Sequence, residues 1–196
     1  MKTILETDKN FVCDINALCF QNLTAEEQSF IRSSKTQVHF RKGETLIKQG
    51  AYSSYILFII EGLVTQYVEG NITHNFNTQI LKDGDFIGLS AIFNNNTFSY
   101  SATALTPTIA FLIEKETVAS LMRRNGEFAY RIINRYCQQD VLLYDLLGRM
   151  MFKQMNGRVA DALLYLDSEA FAGMDIFIRL SRKDIADFAG ISTESA

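Results

Sequence analysis

The feature that most constrains the fold of this chain is an abrupt change of pattern near Glu114. Before it, residues 36–113 alternate short β-branched and aromatic segments with glycines, which is typical of strands joined by tight turns. After it, apolar residues recur with helical spacing, and residues 127–153 contain no proline and one interior glycine. Many short strands followed by a long helix predict an α+β protein that begins with a β-sandwich or jelly roll.

Individual elements follow from the same patterns. A helix is predicted over 15–35, where Thr24 and Glu27 have the spacing of a capping box. A second short helix is predicted over 159–166, after a break at 156–158, and a short strand over 176–178. In the 159–166 helix we expect Ala160, Leu163, Leu164 and Leu166 to face inward. The strands of the roll are predicted at 38–40, 45–47, 55–60, 63–68, 72–81, 98–105 and 108–113.

The last 17 residues have the caps of two successive helices. Ser181 and Asp184 form a second capping-box pair, Gly190 supplies a turn, and Ser192 is placed to cap another helix. This spacing predicts a helix-turn-helix, a motif in which the start of the second helix reads DNA bases in the major groove. We expect that second helix to continue beyond Ala196. The candidate DNA-binding residues are Arg182, Ser192, Thr193, Glu194 and Ser195.

Composition fits a globular protein rather than a membrane or secreted one. The chain has 196 residues, of which 47% are hydrophobic and 21% charged. No apolar stretch approaches the roughly 18 residues of a membrane span, and acids occupy the place of a signal-peptide core. Three cysteines do not form a paired framework, so we expect a cytoplasmic protein with no membrane partner. Residues 1–122 hold 9 basic and 12 acidic residues and residues 123–196 hold 10 of each, so the net charge of −3 arises before the helix-turn-helix.

The long helix has an apolar seam with heptad spacing. Asp140 is the one position of the repeat that does not suit such a seam. We favour a parallel coiled coil between two copies of the chain, while a helix that packs only on its own domain stays an alternative. The seam residues are Ala129, Ile133, Tyr136, Leu143, Leu147 and Met150.

The order of these elements, together with five short motifs, carries a family resemblance. The motifs are KGETLI at 42–47 with Gly50, FIIEGLV at 58–64, DGDFIG at 83–88, GRVA at 157–160 and the caps over 181–195. With them the chain resembles the cyclic-AMP receptor protein and fumarate–nitrate regulator superfamily of bacterial transcription factors. The resemblance covers most of residues 20–196.

The resemblance implies a domain organisation and a set of partners. It implies a cyclic-nucleotide-binding-like double-stranded β-helix (jelly roll) over 1–125, a dimerisation helix over 126–154 and an incomplete winged helix-turn-helix over 155–196. Its members are homodimers in which a signal in the roll reorients two helix-turn-helix units toward DNA half-sites. The implied partners are double-stranded DNA, a second copy of the chain, RNA polymerase and an unknown small-molecule effector.

The sequence departs from the cyclic-AMP type at each ligand position. Leu89 stands where that type has a ribose-binding Glu, residues 100–101 read Tyr-Ser instead of Arg-Ser, and residues 143–144 read Leu-Tyr instead of Thr-Ser. No arginine lies between Arg41 and Arg123, so a buried phosphate would lack a cation. Either an apolar filled roll or a pocket for a less polar ligand fits these residues. The candidate pocket residues are Gly88, Leu89, Phe98, Tyr100, Ser101, Leu143 and Tyr144.

The sequence contains few residues that would support another cofactor or catalysis. An iron–sulfur cluster needs four cysteine ligands, whereas the chain has Cys13, Cys19 and Cys137. His39 and His74 are isolated histidines and do not form the clustered ligands of haem or cupin metal sites. We therefore expect no iron–sulfur cluster, no haem, no metal site and no enzyme activity. A regulator is favoured, and a dimeric sensor or interaction module with a degenerate C-terminal domain is the alternative.

Overall fold

The computed structural model describes residues 1–4, 20, 23–70, 75–93 and 96–195. The described strands are β1 (Lys2–Ile4), β2 (Lys35–Phe40), β3 (Thr45–Ile47), β4 (Tyr55–Glu61), β5 (Val64–Glu69), β6 (Asn75–Leu81), β7 (Phe86–Ile87), β8 (Ser101–Ala104) and β9 (Thr108–Glu114). The α-helices are α1 (Ala25–Ser33), α2 (Lys115–Arg124), α3 (Gly126–Phe152), α4 (Met155–Leu166), α5 (Ile176–Arg179) and α6 (Arg182–Ala189).

The strands form the predicted roll of two antiparallel sheets. The five-stranded sheet has the order β1-β2-β9-β4-β7, and the four-stranded sheet has the order β3-β8-β5-β6. An apolar core fills the roll, with Val38, Ile59, Val64, Ile87 and Ala102 among its buried members. The predicted strands are confirmed with small shifts of their ends, apart from residues 72–74, which lie outside the described part of the chain. Strands β1 and β7 were not predicted; the two residues of β7 are too few to show an alternation.

Helix α1 is shorter than the helix predicted over 15–35. Its capping box is confirmed: the Thr24 hydroxyl accepts from the Glu27 amide at 3.2 Å, and the Glu27 carboxylate accepts from the Thr24 amide at 2.8 Å. The predicted C-terminal end is wrong because Lys35 pairs with Ile113 and begins β2. Residues 15–19, 21 and 22 of that prediction lie outside the described part of the chain.

The long predicted helix is confirmed as α3, with Asn125 accepting from the Phe128 amide at its start at 3.0 Å. One face lies on the roll, where Phe128, Ile132 and Leu146 are buried. The rest of the helix surface is largely exposed and carries many apolar side chains. The large exposed apolar residues of α3 are Tyr130, Ile133, Tyr136, Val141, Leu142, Leu143, Tyr144, Leu147, Met151 and Phe152.

Two predictions for the C-terminal segment are wrong. The break after α3 lies at 153–154, so 156–158 belong to α4 rather than to a loop. The buried face of α4 also differs from the prediction: Ala160, Leu163 and Leu164 are exposed, whereas Ala162 is buried, and Leu166 is the predicted inward residue that is confirmed.

The strand predicted over 176–178 is a turn of helix instead, α5. Asp175 has the left-handed backbone angle φ 47° and turns the chain immediately before this segment. No strand lies within residues 155–195, so an extended 176–178 segment would have no neighbour there for its backbone hydrogen bonds. A helical turn satisfies those groups locally.

The C-terminal segment packs on the four-stranded sheet through one apolar cluster. Leu63, Ile80 and Leu105 contribute from the roll, and they meet Leu166 and Phe188 from helices α4 and α6. The Tyr165 hydroxyl accepts from the Ile80 amide at 2.9 Å. None of the helices within the described ranges is long and apolar enough to cross a membrane.

Candidate functional site

Gly88 organises the turn that follows β7. Its φ of +86° is a backbone conformation that glycine adopts without strain. A Cβ atom at this position would lie 2.6 Å from Cε1 of Phe98, so the missing side chain lets that ring pack directly on the turn. The Gly88 amide donates to the Tyr100 hydroxyl at 2.8 Å. The DGDFIG motif therefore holds Phe98 and Tyr100 against the turn that follows β7.

The Tyr100 side chain contributes an uncharged hydroxyl group to this site. Burial raises its pKa to about 12, with a smaller contribution from Tyr136, while the hydrogen bond from Gly88 acts in the opposite direction. A phenol with that pKa carries no charge at neutral pH. The position therefore supplies a polar atom but neither a cation nor an anion.

A cavity of about 180 Å³ lies between the four-stranded sheet and α3. It brings together three of the predicted pocket residues, Leu89, Tyr100 and Leu143. The sheet side and the segment near Tyr100 also contribute polar groups from Gln66, Thr78, Gln79, Ser90 and Ser99. The helix side adds Tyr136, Gln139, Asp140, Leu142 and Leu146.

Four other predicted pocket residues do not line the cavity: Gly88 lies in the turn described above, and three lie elsewhere. Phe98 is buried in the roll core. The Ser101 side chain is fully buried, where it donates to Glu69 at 2.6 Å and accepts from the Gln49 amide at 2.8 Å. Tyr144 is 67% exposed and is not part of the cavity lining. The structure thus replaces these three with residues of β5, β6 and α3 that the sequence prediction missed.

The missed lining residues had one usable signal in the sequence. Gln66 and Gln79 are polar side chains within strand segments, and they lie opposite each other in the register of β5 and β6 with a 3.1 Å hydrogen bond between their amides. Their joint position depends on strand pairing, which a single sequence does not specify. Asp140 had already stood out as the polar position of the heptad.

A charged pair fastens α3 to the turn beside the cavity. The Asp85 carboxylate, 6% exposed, pairs with the guanidinium of Arg135, which is 40% exposed. Its other oxygen accepts from the Lys82 amide at 2.9 Å. Through this pair the DGDFIG turn and α3 are held together electrostatically.

The capping box that begins α6 forms as predicted. Ser181 accepts from the Asp184 amide at 3.2 Å, and Asp184 accepts from the Ser181 amide at 2.7 Å. Gly190 ends α6 in the left-handed conformation with φ 61°. The cap predicted at Ser192 is not observed: its hydroxyl lies 3.1 Å from the Ser195 hydroxyl, and residues 193–195 form a turn. The Ser192 carbonyl accepts from the Ser195 amide at 3.0 Å, which is a first turn of the next segment.

The candidate DNA-binding residues stand at the surface of this segment. Arg182, Glu194 and Ser195 are exposed, and Ser192 and Thr193 are half-buried. Glu can accept a hydrogen bond from cytosine, and Thr can pack on a thymine methyl. The arrangement has the chemistry needed to read base edges.

No metal-binding group is present within the described ranges: no three His, Cys, Asp or Glu side chains there are placed to hold an ion. His39 lies half-buried in β2, and Cys137 is an exposed free thiol on α3. Cys13, Cys19 and His74 lie outside the described residues. The expected absence of a metal or haem therefore stays a prediction.

Comparison with known proteins supports this architecture. Residues 37–125 match the family model described as the cyclic nucleotide-binding domain. The chain is 25% identical over 157 residues to the cAMP-activated global transcriptional regulator CRP of Salmonella typhimurium, covering 77% of this chain and 74% of that protein. The CRP of Escherichia coli O157:H7 matches with the same identity and coverage.

Solved structures share the fold at lower sequence identity. FixK2 from Bradyrhizobium japonicum is 20% identical with a TM-score of 0.72, covering 82% of this chain and 80% of that one. The c-di-GMP-responsive global regulator CLP of Xanthomonas campestris is 18% identical with a TM-score of 0.74, covering 88% and 87%. A transcriptional regulator of the crp/fnr family from Eubacterium rectale is 20% identical with a TM-score of 0.72, covering 88% and 80%.

Proposed function

Because this chain belongs to the CRP/FNR family of transcription regulators, we propose that it acts as a signal-controlled homodimer that binds double-stranded DNA. The observation that carries the proposal is the capped helix-turn segment at 181–195, joined to the roll through α3 and α4. A cytoplasmic location and a contact with RNA polymerase belong to the same proposal. We propose no catalytic activity.

The dimer would form along the exposed apolar face of α3. Ile133 and Leu147 are 53% and 48% exposed, and a second copy offers the same apolar stripe in return. Of the predicted seam residues, Ala129 and Met150 are half-buried by their own chain, whereas the four between them are exposed. The exposure therefore supports a seam centred on the middle of α3.

The dimer can be tested by placing a charge in that seam. We expect Leu147→Glu to convert the dimer to a monomer, because two buried carboxylates would face each other across the interface. Ile178→Glu is the matched control, since Ile178 is 83% exposed and lies in α5. The measurement is sedimentation equilibrium. A wild-type monomer at micromolar concentration, or an L147E dimer, would contradict the proposed seam.

DNA recognition can be tested by selecting binding sites from a random duplex library with the protein expressed from its native gene. We expect a two-fold symmetric site with half-sites about one helical turn apart. Arg182→Ala should weaken binding to all DNA sequences and make the affinity less dependent on salt concentration. Glu194→Ala should instead reduce the preference for one base at a single position of the site. Glu169→Ala, an exposed residue before the motif, is the control. If no sequence is enriched, the alternative of a dimeric interaction module with a degenerate C-terminal domain is supported.

We further propose that the roll does not respond to cyclic AMP. Support comes from the cavity itself, where Leu89 and Tyr100 occupy positions that the cyclic-AMP type uses for polar and cationic contacts. Saturable binding of cyclic AMP in isothermal titration calorimetry would contradict this.

A further inference from the structure

The cavity between the four-stranded sheet and α3 is lined by an acidic residue and by no basic residue. Of the residues that surround it, Asp140 is the acidic one and none is Lys, Arg or His. The arginine nearest along α3 among the described residues, Arg135, is engaged by the buried carboxylate of Asp85. An anion entering this cavity would lose its hydration without gaining a cation, which is costly in a partly buried site.

Asp140 is also unusual along its own helix. It is the one acidic position in the heptad seam, and within the described part of the chain it has no ion-pair partner. In the homodimer proposed above, a second copy would bring an equivalent carboxylate toward it, and two like charges disfavour that approach. A cation bound at the cavity mouth would offset both charges at once.

The other residues that line the cavity indicate which kind of ligand would fit beside Asp140. Leu89, Leu143 and Leu146 offer an apolar wall, and the amides of Gln66 and Gln139 can donate and accept hydrogen bonds. The volume of about 180 Å³ lies below the roughly 300–1,000 Å³ of pockets for drug-sized ligands. The site therefore suits a small molecule with one polar end and one apolar end.

We propose that this cavity binds a small organic amine, with its ammonium group on the Asp140 carboxylate and its hydrocarbon or aromatic body against Leu89 and Leu146. This inference deepens the proposed function, because it names the chemical class of the effector. Amine binding by a single chain depends on the cavity alone, whereas the relief of repulsion across the seam rests on the proposed dimer.

The test compares three probes that share one ring and differ in charge: 2-phenylethylamine, 2-phenylethanol and phenylacetate. Each is titrated into the wild-type chain by isothermal titration calorimetry at pH 7 and low salt. We expect the amine to bind about tenfold more tightly than the alcohol, since a charge-assisted hydrogen bond is stronger than a neutral one. Phenylacetate and cyclic AMP should show no saturable binding.

Two variants test whether the Asp140 carboxylate causes the preference for the amine over the alcohol. Asp140→Asn should reduce the preference for the amine over the alcohol to within about twofold, while Asp145→Asn, an exposed acid one turn along the helix, should leave it unchanged. Circular dichroism spectra confirm that both variants fold. The inference is overturned if the amine does not bind, if phenylacetate binds as well as the amine, or if D140N keeps the wild-type preference.

These outcomes separate the two proposals. The titrations need neither DNA nor a partner copy, so amine binding without any selected DNA site would leave the ligand inference standing and remove the regulator function. DNA selection without amine binding would do the reverse.

Discussion

At the level of single residues, close backbone approach decides which glycines of the roll tolerate a side chain. Gly62, between β4 and β5, has φ +113°, and a Cβ atom there would lie 2.7 Å from the carbonyl oxygen of Pro107 and 2.8 Å from Cα of Thr108. Both contacts are with backbone atoms, which cannot turn aside as a flexible side chain can. The position combines a left-handed conformation with a steric clash.

We therefore expect Gly62→Ala to lower the free energy of unfolding by about 2 kcal/mol or more, since strain of each kind costs about 1–3 kcal/mol. Gly126→Ala is the control, because nothing lies within 4 Å of a Cβ there and the position begins α3. It should change stability by less than about 0.5 kcal/mol. Urea denaturation measures both; equal effects of the two variants would show that the clash at Gly62 is relieved by movement of the loop.

Two partly buried tyrosines make the stability of the fold depend on pH in the alkaline range. Burial raises the pKa of Tyr100 and of Tyr165 to about 12, and the hydrogen bonds from Gly88 and Ile80 oppose that rise. Because these values lie above the ordinary pKa of 10, the folded state holds the phenolic protons more tightly than the unfolded chain. Their contribution to stability is complete below about pH 10 and is lost as the pH rises toward 12.

Urea denaturation between pH 9 and 11.5 tests this linkage. We expect the free energy of unfolding of the wild type to fall more steeply above pH 10 than that of Tyr165→Phe, which removes one of the two titrating groups. Tyr130→Phe, at a position 68% exposed, should keep the wild-type slope. A Y165F slope equal to that of the wild type would mean that this hydroxyl ionises as readily in the folded state as in the unfolded chain.

At the level of elements, α3 packs on the roll with one face and would pack on the proposed partner with another. Phe128 and Ile132 anchor the roll side by burial, and the pair of Asp85 with Arg135 adds a charged link to the turn beside the cavity. The Asp85 carboxylate is almost completely buried. The free energy that its desolvation costs is therefore offset only while the Arg135 guanidinium stays beside it.

A double-mutant cycle measures the link. Arg135→Met should lower the free energy of unfolding by about 3 kcal/mol, at the low end of the range for breaking a buried pair, because it leaves the Asp85 charge unpaired. Adding Asp85→Asn should recover at least about 1 kcal/mol of that loss. Arg131→Met removes a pair with Glu127, whose side chain is 62% exposed, and should cost less than Arg135→Met because an exposed carboxylate loses little with its partner. Additive effects of R135M and D85N would contradict the coupling.

At the level of the whole molecule, the C-terminal segment and the roll share one apolar cluster instead of having separate cores. Phe188 of α6 is 6% exposed and packs with Leu63 and Ile80 of the roll. Polar contacts accompany it: the Lys82 ammonium donates to the Ala170 carbonyl, and the Asn77 amide donates to the Asp184 carbonyl at 3.2 Å. The docked segment is therefore expected to unfold together with the sheet.

Phe188→Ala tests this shared core. We expect a loss of about 3–5 kcal/mol, as for other buried phenylalanines, and faster hydrogen exchange in both α6 and β6. Phe93→Ala, where the ring is 74% exposed, should leave exchange in both elements unchanged. If F188A speeds exchange in α6 alone, the segment opens independently of the roll, and the contact is a weak docking surface.

Local rules explain which predictions from the sequence are confirmed. The capping boxes at Thr24 and Ser181, the turn at Gly190 and the long helix α3 all depend on residues within one or two turns of each other. The family resemblance follows from the order of such local signals. The error at 176–178 arose where a short apolar run fits two conformations and only its neighbours choose between them. The error at 156–158 arose because Asn156 and Gly157 are typical of turns, whereas the structure places both within α4.

The sequence by itself determined the alternation of strands and turns, the caps, the long amphipathic helix and the absence of an arginine between positions 41 and 123. Tertiary structure alone decided the cavity: strand register set Gln66 beside Gln79, and the rotation of α3 placed Asp140 at its mouth while leaving Tyr144 exposed. The reason is physical. Hydrogen bonds within a helix or a turn join residues close in sequence, whereas a cavity is lined by residues brought together by the packing of elements far apart in the chain.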